Sequence, residues 1–218
     1  MDQQYQIRME ISGKTAMWTR PDTGATPVSY PVPTWSAAKG LFESVSRLRN
    51  TIIIPTVVEI CSPVVYHEYT ANYGGPLRKA ELIGKGNLFQ HKATVLINVC
   101  YRLYARIEDF KYFPKNLSEA ARLSETNSRH YCRERFLRRL LKGQYHDTPC
   151  LGWREFVPDY IGPIREDTGD RKVQTSINET MQSFLYCVFD PKTGGYSPKY
   201  VQNPSGRRIK EGRLEYAE

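Results

Sequence analysis

One stretch constrains the fold of this 218-residue chain more than any other: residues 92–107, KATVLINVCYRLYARI. Val95, Ile97, Val99, Tyr101, Leu103 and Ala105 fall at alternate positions, the period of a β-strand with one buried face. The opposite face carries Asn98, Arg102, Tyr104 and Arg106. A polar, aromatic and basic strand face is what an RNA-binding sheet presents, and a solvated edge has the same composition.

The elements around it are read in the same way. Residues 5–11 alternate as a half-buried strand that Gly13 is expected to end. Residues 18–33 are rich in Pro, Gly and Thr and read as a projecting loop. Thr34 is placed to cap a helix whose Ala37, Ala38, Leu41, Phe42, Val45 and Leu48 share one face, ending within residues 47–50. Ile52, Ile53 and Ile54 open a β-branched strand, punctuated by Pro55 and resumed over 57–60. Residues 62–92 carry Pro63, Gly74, Gly75, Pro76, Gly84 and Gly86, the marks of a hairpin or irregular insertion.

A second helix is expected over 128–142, stopped by Gly143, with Phe136, Leu137, Leu140 and Leu141 on its apolar side. Short strands follow at 153–157 and 184–189, and a closing hairpin at 203–212. The order strand, helix, strand, strand, helix, strand implies an α+β fold with an antiparallel sheet and a split βαβ, ferredoxin-like core. Residues 1–145 are assigned to that core, and 146–218 to a β-rich C-terminal part packed on it.

Charge points to a partner. Thirty-one Lys and Arg against 23 Asp and Glu leave +8, an excess that favours a polyanion, although a merely basic soluble surface has the same sum. The second helix concentrates Arg129, Arg133, Arg135, Arg138, Arg139 and Lys142 against Glu134 alone. This face either tracks a phosphate backbone or is a solvated face with a Glu134–Arg138 pair. Arg207, Arg208 and Lys210 form a weaker basic patch. His130 stands in the first turn of that helix, where the dipole and the neighbouring Arg129 and Arg133 favour a neutral imidazole. Such a group suits general acid–base work, and a surface histidine making one hydrogen bond has the same sequence.

Other chemistry lacks its motifs. The five cysteines are odd in number and form no Cys-x-x-Cys pair, and the four histidines are scattered, so neither a disulfide framework nor a metal site is expected. No GxxxxGK[ST], GxSxG or HExxH occurs, and no cofactor is expected. No apolar run approaches the roughly 18 residues of a membrane span. The start, Met1-Asp2-Gln3-Gln4, lacks the features of a signal peptide, so a cytoplasmic location without membrane partners is expected.

Three blocks in order resemble a known family. The first is Trp18-Thr19-Arg20-Pro21, continuing through Val28-Ser29-Tyr30-Pro31-Val32-Pro33-Thr34 into Ser36-Ala37-Ala38-Lys39-Gly40 and Glu43-Ser44. The second is Arg129-His130 at the head of the basic helix. The third is Pro149-Cys150-Leu151-Gly152-Trp153-Arg154-Glu155-Phe156. Together they resemble the fifth CRISPR-associated (Cas-five) family of the RAMP superfamily, in its type I-C branch.

That resemblance implies an RRM-related domain and a dedicated ribonuclease. The enzyme cuts the repeat of precursor CRISPR RNA without metal, through the RNA 2′-OH. It then holds the 5′ handle beside the backbone and large subunits of the interference complex. The family's Tyr, Lys and His fall on Ser46, Arg129 and His130. Ser46 and Arg129 depart from the pattern, and Tyr131, Tyr30 or Tyr66 are the tyrosines considered as replacements. Arg20, Lys39, Arg47, Arg102, Arg133, Arg135, Arg138, Arg139 and Lys142 are the expected RNA contacts. A catalytic endoribonuclease and a non-catalytic 5′-handle scaffold both remain open, with a generic RRM-like RNA binder as a third reading.

Overall fold

The computed structural model describes residues 5–48, 50–73, 89–109, 127–165, 171–189, 196–201 and 207–216. β1 (Gln6–Ala16) leads through a 3-10 turn at Pro21–Thr23 to α1 (Trp35–Val45), then β2 (Thr51–Ile60), β3 (Val65–Tyr73) and β4 (Phe89–Asp109). After α2 (Ser128–Leu141) come β5 (Tyr160–Gly162), β6 (Glu179–Met181), β7 (Phe184–Phe189), β8 (Tyr196–Val201), β9 (Arg207–Ile209) and β10 (Arg213–Glu215).

The main sheet has the order β10-β2-β4-β1-β5, with β3 also paired to β4. With α1 between β1 and β2, and α2 between β4 and β5, the inner order β2-β4-β1-β5 is the split βαβ arrangement. The long β4 is its spine. One edge pairs with β1, from Gln6 opposite Arg106 to Ala16 opposite Leu96. The other edge is shared. β2 takes its C-terminal half, from Thr51 opposite Asp109 to Ile60 opposite Tyr101, and β3 takes Phe89 to Ile97. Asn98, at φ 53°, sits between the two ladders, a turn that asparagine tolerates better than most side chains. Pro55 lies at the register shift of β2, where a missing N–H costs the ladder nothing.

Strand alternation selects the core. Ile7, Met9 and Ile11 of β1 share a buried face with Tyr101, Leu103, Ala105 and Ile107 of β4, and Ile53, Val58 and Ile60 of β2. α1 contributes Leu41, Phe42 and Val45; α2 contributes Cys132, Phe136 and Leu140, with Phe42 and Phe136 centred 5.7 Å apart. Each Ile, Leu, Val, Met or Phe among them is worth about 1.5–3 kcal/mol when fully buried. Thr34 caps α1 by accepting from the Ala37 N–H at 3.2 Å. α1 ends at Val45, earlier than the sequence implies, because Ser46 turns extended and the His146 and Asp147 N–H groups take the Ser44 carbonyl.

Other expectations are corrected. β1 runs through Gly13, whose role is to admit the Leu151 side chain, 2.5 Å from where a Cβ would stand. Leu141 is 73% exposed, and Cys132 takes its place on the apolar side of α2. Residues 153–157 form a turn rather than a strand, closed by Leu151 N–H to Phe156 carbonyl at 2.7 Å and Phe156 N–H to Trp153 carbonyl at 3.0 Å. β7 falls where expected. The closing hairpin sits later, around Lys210 and Arg213, and residues 203–206 of the expected one lie outside the described residues, as do 74–88 of the expected insertion. β5 and β10, both beyond residue 145, complete the main sheet. No helix among the described residues is long and apolar enough to cross a membrane.

The third sequence block proves to be a clamp. Leu151 accepts from the Met17 N–H at 2.9 Å, Trp153 Nε1 donates to Thr19, and Tyr69 of β3 donates to Glu155 at 2.9 Å. Gly152 has φ +92°, and a Cβ there would stand 1.8 Å from the Met17 carbonyl oxygen. Gly152→Ala is therefore expected to destabilise the protein. The strained backbone alone costs roughly 1–3 kcal/mol, and displacement of Met17 adds to that. An unchanged thermal unfolding temperature would contradict this account.

Candidate RNA-processing site

Four elements converge at one end of the sheet: the start of β1, the start of β2, the end of β4 and the N-terminus of α2. Asn127 is the N-cap of α2, and its side-chain oxygen accepts from the His130 N–H at 3.3 Å. Its amide nitrogen donates to the Tyr5 hydroxyl at 2.5 Å. Asn50, just before β2, donates to Ser128 Oγ at 2.8 Å. Arg129 pairs with Asp109 at 3.3 Å, and its guanidinium lies over the Tyr5 ring, 4.4 Å from the centroid. Tyr5 itself is 7% exposed.

His130 is exposed, and the cap uses only its backbone N–H, so the imidazole faces solvent one residue along α2 from the held Arg129. An oriented guanidinium can stabilise extra negative charge on a phosphorane. It cannot donate a proton readily, since a guanidinium stays charged in proteins. Of the two side chains, the imidazole is the one whose chemistry suits proton transfer.

α2 carries its cations on the outer faces. Cys132, Phe136 and Leu140 point inward, so Arg138 and Lys142 are exposed on the same stripe as His130. Arg133 pairs with its neighbour Glu134 at 2.6 Å, in place of the expected Glu134–Arg138 pair. Among the described residues, Arg135, Arg138, Arg139 and Lys142 take no ion-pair partner. Arg20 is bonded to Asp22 at 2.9 Å and holds that carboxyl below the usual range. Lys39 pairs with Glu43. Surface pairs like these are worth about 0–1 kcal/mol and exchange readily for a phosphate. Arg47 is exposed on a separate cleft of about 360 Å³, lined also by Trp18, Gly40, Ser44, His146 and Gly152.

Two expected site residues are not placed for contact with RNA. Ser46 is 0% exposed with its hydroxyl buried, because the extended C-cap of α1 turns the side chain into the protein. Arg102 is 8% exposed, ion-paired to the fully buried Glu10 at 3.8 Å and donating to the backbone carbonyls of Arg165 and Arg171. Arg165 also binds Glu10, at 2.6 Å. The polar face of β4 is therefore covered at its centre rather than presented as an RNA platform. Beside it, burial and then a hydrogen bond to Glu59 push the Tyr104 phenol up to about 12, so it stays a neutral donor.

Of the tyrosines considered, Tyr30 is buried and bonded to Ser183 and Leu185, and Tyr66 is exposed on β3. Tyr131 is exposed beside His130 on α2. Among the described residues Tyr5 contacts both Arg129 and Asn127, which local sequence pattern does not signal, although split βαβ topology puts the residue leading into β1 at the head of α2.

A sheet of this order, with its two helices between β1 and β2 and between β4 and β5, has the ferredoxin-like architecture of the RRM-related proteins. The family model for CRISPR-associated protein (Cas_Cas5) matches residues 6–190. The chain belongs to this Cas5 family. It is 30% identical over 192 residues to a CRISPR pre-crRNA endoribonuclease Cas5d of Thermus thermophilus, covering 85% of this chain and 75% of that one. It is 28% identical over 165 residues to a protein of the same name from Mannheimia succiniciproducens, covering 69% of each. A crystal structure of a CRISPR-associated protein superposes with a TM-score of 0.68 at 15% identity, over 98% of this chain and 92% of that one, a likeness of fold.

Proposed function

We propose that the protein is a metal-independent endoribonuclease that cuts the repeat of precursor CRISPR RNA and stays on the 5′ handle within an interference complex. The observation that carries this reading is the exposed His130 in the first turn of α2, next in sequence to Arg129, whose guanidinium Asp109 and Tyr5 hold. The 2′-oxygen attacks the adjacent phosphorus as its proton leaves, and the bond to the 5′-oxygen breaks as that oxygen gains a proton. The products are a 2′,3′-cyclic phosphate and a free 5′-hydroxyl. His130 serves one of the two proton transfers, and Arg129 stabilises the charge on the phosphorane. Family membership and the relatives named as pre-crRNA endoribonucleases support the same reading.

One observation favours the alternative, a non-catalytic scaffold that caps the 5′ handle. Ser46, where the family resemblance expects a tyrosine, is buried and offers no group to RNA. The deciding assay incubates the protein with its cognate repeat RNA in EDTA, beside a substrate carrying 2′-deoxy at the cut site. Cleavage abolished only with the deoxy substrate supports the nuclease. Tight binding with intact RNA establishes the scaffold instead.

The RNA path is proposed along α2. Reversing Arg135, Arg138 and Arg139 to Glu together is expected to weaken binding. It should also flatten the log–log salt dependence by roughly 0.7 for each phosphate that is no longer neutralised, about 2 in all. A slope unchanged by the three reversals would place the RNA elsewhere.

A further inference from the structure

We propose that Tyr5 is the positioning residue of the cleavage pair, an aromatic hydroxyl supplied from the start of β1 rather than from position 46. The proposal rests on the nuclease reading above and assigns a residue that neither the motif blocks nor the basic helix pointed to. Tyr5 reaches both members of the pair by separate contacts. Its ring lies under the Arg129 guanidinium at 4.4 Å, and its hydroxyl accepts from Asn127 at 2.5 Å, while Asn127 accepts from the His130 N–H. One side chain therefore holds the guanidinium over its ring and, through Asn127, the backbone position of the histidine.

The surroundings explain why this needs a buried tyrosine. Arg129 is tied to Asp109 at one edge, and Asp109 is the last residue of β4 and 58% exposed at its side chain. A single exposed ion pair holds an arginine weakly. The face of a buried aromatic ring adds a cation–π contact worth about 0.5–2 kcal/mol and fixes the plane as well as the distance. Tyr5 is 7% exposed and lies directly before β1, so the ring is as rigid as the sheet. At position 46 the buried serine can supply none of this. Tyr5 is not assigned a proton transfer, because its hydroxyl is engaged by Asn127 and lies below the surface.

Two substitutions separate the ring from the hydroxyl. Tyr5→Phe keeps the ring beneath Arg129 and removes the acceptor for Asn127. Tyr5→Leu removes both. Single-turnover cleavage at saturating protein is expected to fall about 10-fold in the first, the scale of one hydrogen bond. In the second it should fall about 100-fold, the scale of a roughly 1 Å misplacement. Affinity for the repeat RNA should stay within about 2-fold in both, since the phosphate-binding cations proposed on α2 are untouched. The Phe variant guards against misfolding, because it preserves volume in a buried site.

Imidazole NMR gives a readout independent of cutting, with the His130 signal assigned by its disappearance in His130→Ala. Its resonances should move in Tyr5→Phe and further in Tyr5→Leu, while those of His67, His91 and His146 stay. Wild-type cleavage matched by both variants overturns the role of Tyr5 and leaves the nuclease reading standing. Cleavage and affinity falling together, in step with a falling fraction of folded protein, also overturn it. A wild type that binds RNA without cutting refutes the nuclease reading and with it any role in cleavage. Unmoved His130 resonances then refute the contact itself.

Discussion

Replacing His130 with alanine is expected to slow single-turnover cleavage of the repeat RNA by roughly 100- to 10,000-fold, the usual worth of a positioned acid–base group. The fold should not notice the change. The imidazole is exposed, and the cap that starts α2 uses the backbone N–H, which alanine retains. RNA affinity should also hold, because the cations proposed to carry the phosphates lie farther along the helix. The variant therefore separates binding from chemistry. Arg129→Lys makes the complementary case. It keeps the charge but loses the guanidinium that lies over Tyr5 and the geometry of the Asp109 pair. Its rate should fall less than that of His130→Ala. Full-rate cleavage by His130→Ala would remove this histidine from the mechanism, whatever the other residues do.

Local patterns carried well where the chain decides locally. Thr34 and the 3.6-residue spacing after it fix α1, and the β-branched run around Pro55 fixes β2 and its register shift. The alternation in β4 marks the buried face correctly at Tyr101, Leu103 and Ala105. What local pattern cannot carry is the identity of a partner far along the chain. Arg102 reads as a surface cation until Glu10 and Arg165 arrive from β1 and from the segment after β5. Tyr5 and Asn127 are separated by 122 residues, and only the strand order brings them together. The signature around residues 18–44 and the clamp at 149–156 are mostly structural. Tyr30 and Ser36 tie α1 and its approach to β7, and Gly152 lets the clamp lie on Met17. They identify the family because they hold its architecture, and the proposed chemistry falls to the few groups at the head of α2.

The largest effect on stability is expected at Glu10, which is fully buried and binds both Arg102 and Arg165. Glu10→Ala removes the buried carboxylate that faces Arg102, whose side chain is 9% exposed and also donates to the backbone carbonyls of Arg165 and Arg171. Breaking a buried pair in this way costs about 3–5 kcal/mol. In a chain of this size that corresponds to roughly 10 °C of unfolding temperature. Arg165 suffers less. At 28% side-chain exposure and stacked over Tyr160 at 3.6 Å, it can turn toward water. The cost thus sits on Arg102, and removing that charge should relieve it. The double variant Glu10→Leu with Arg102→Leu is expected to recover most of the missing stability, because well-packed apolar residues often match a buried ion pair. Thermal unfolding of the two variants side by side measures the difference. Equal losses in the single and double variants would mean that Glu10 acts through Arg165 or through packing, and not by compensating Arg102.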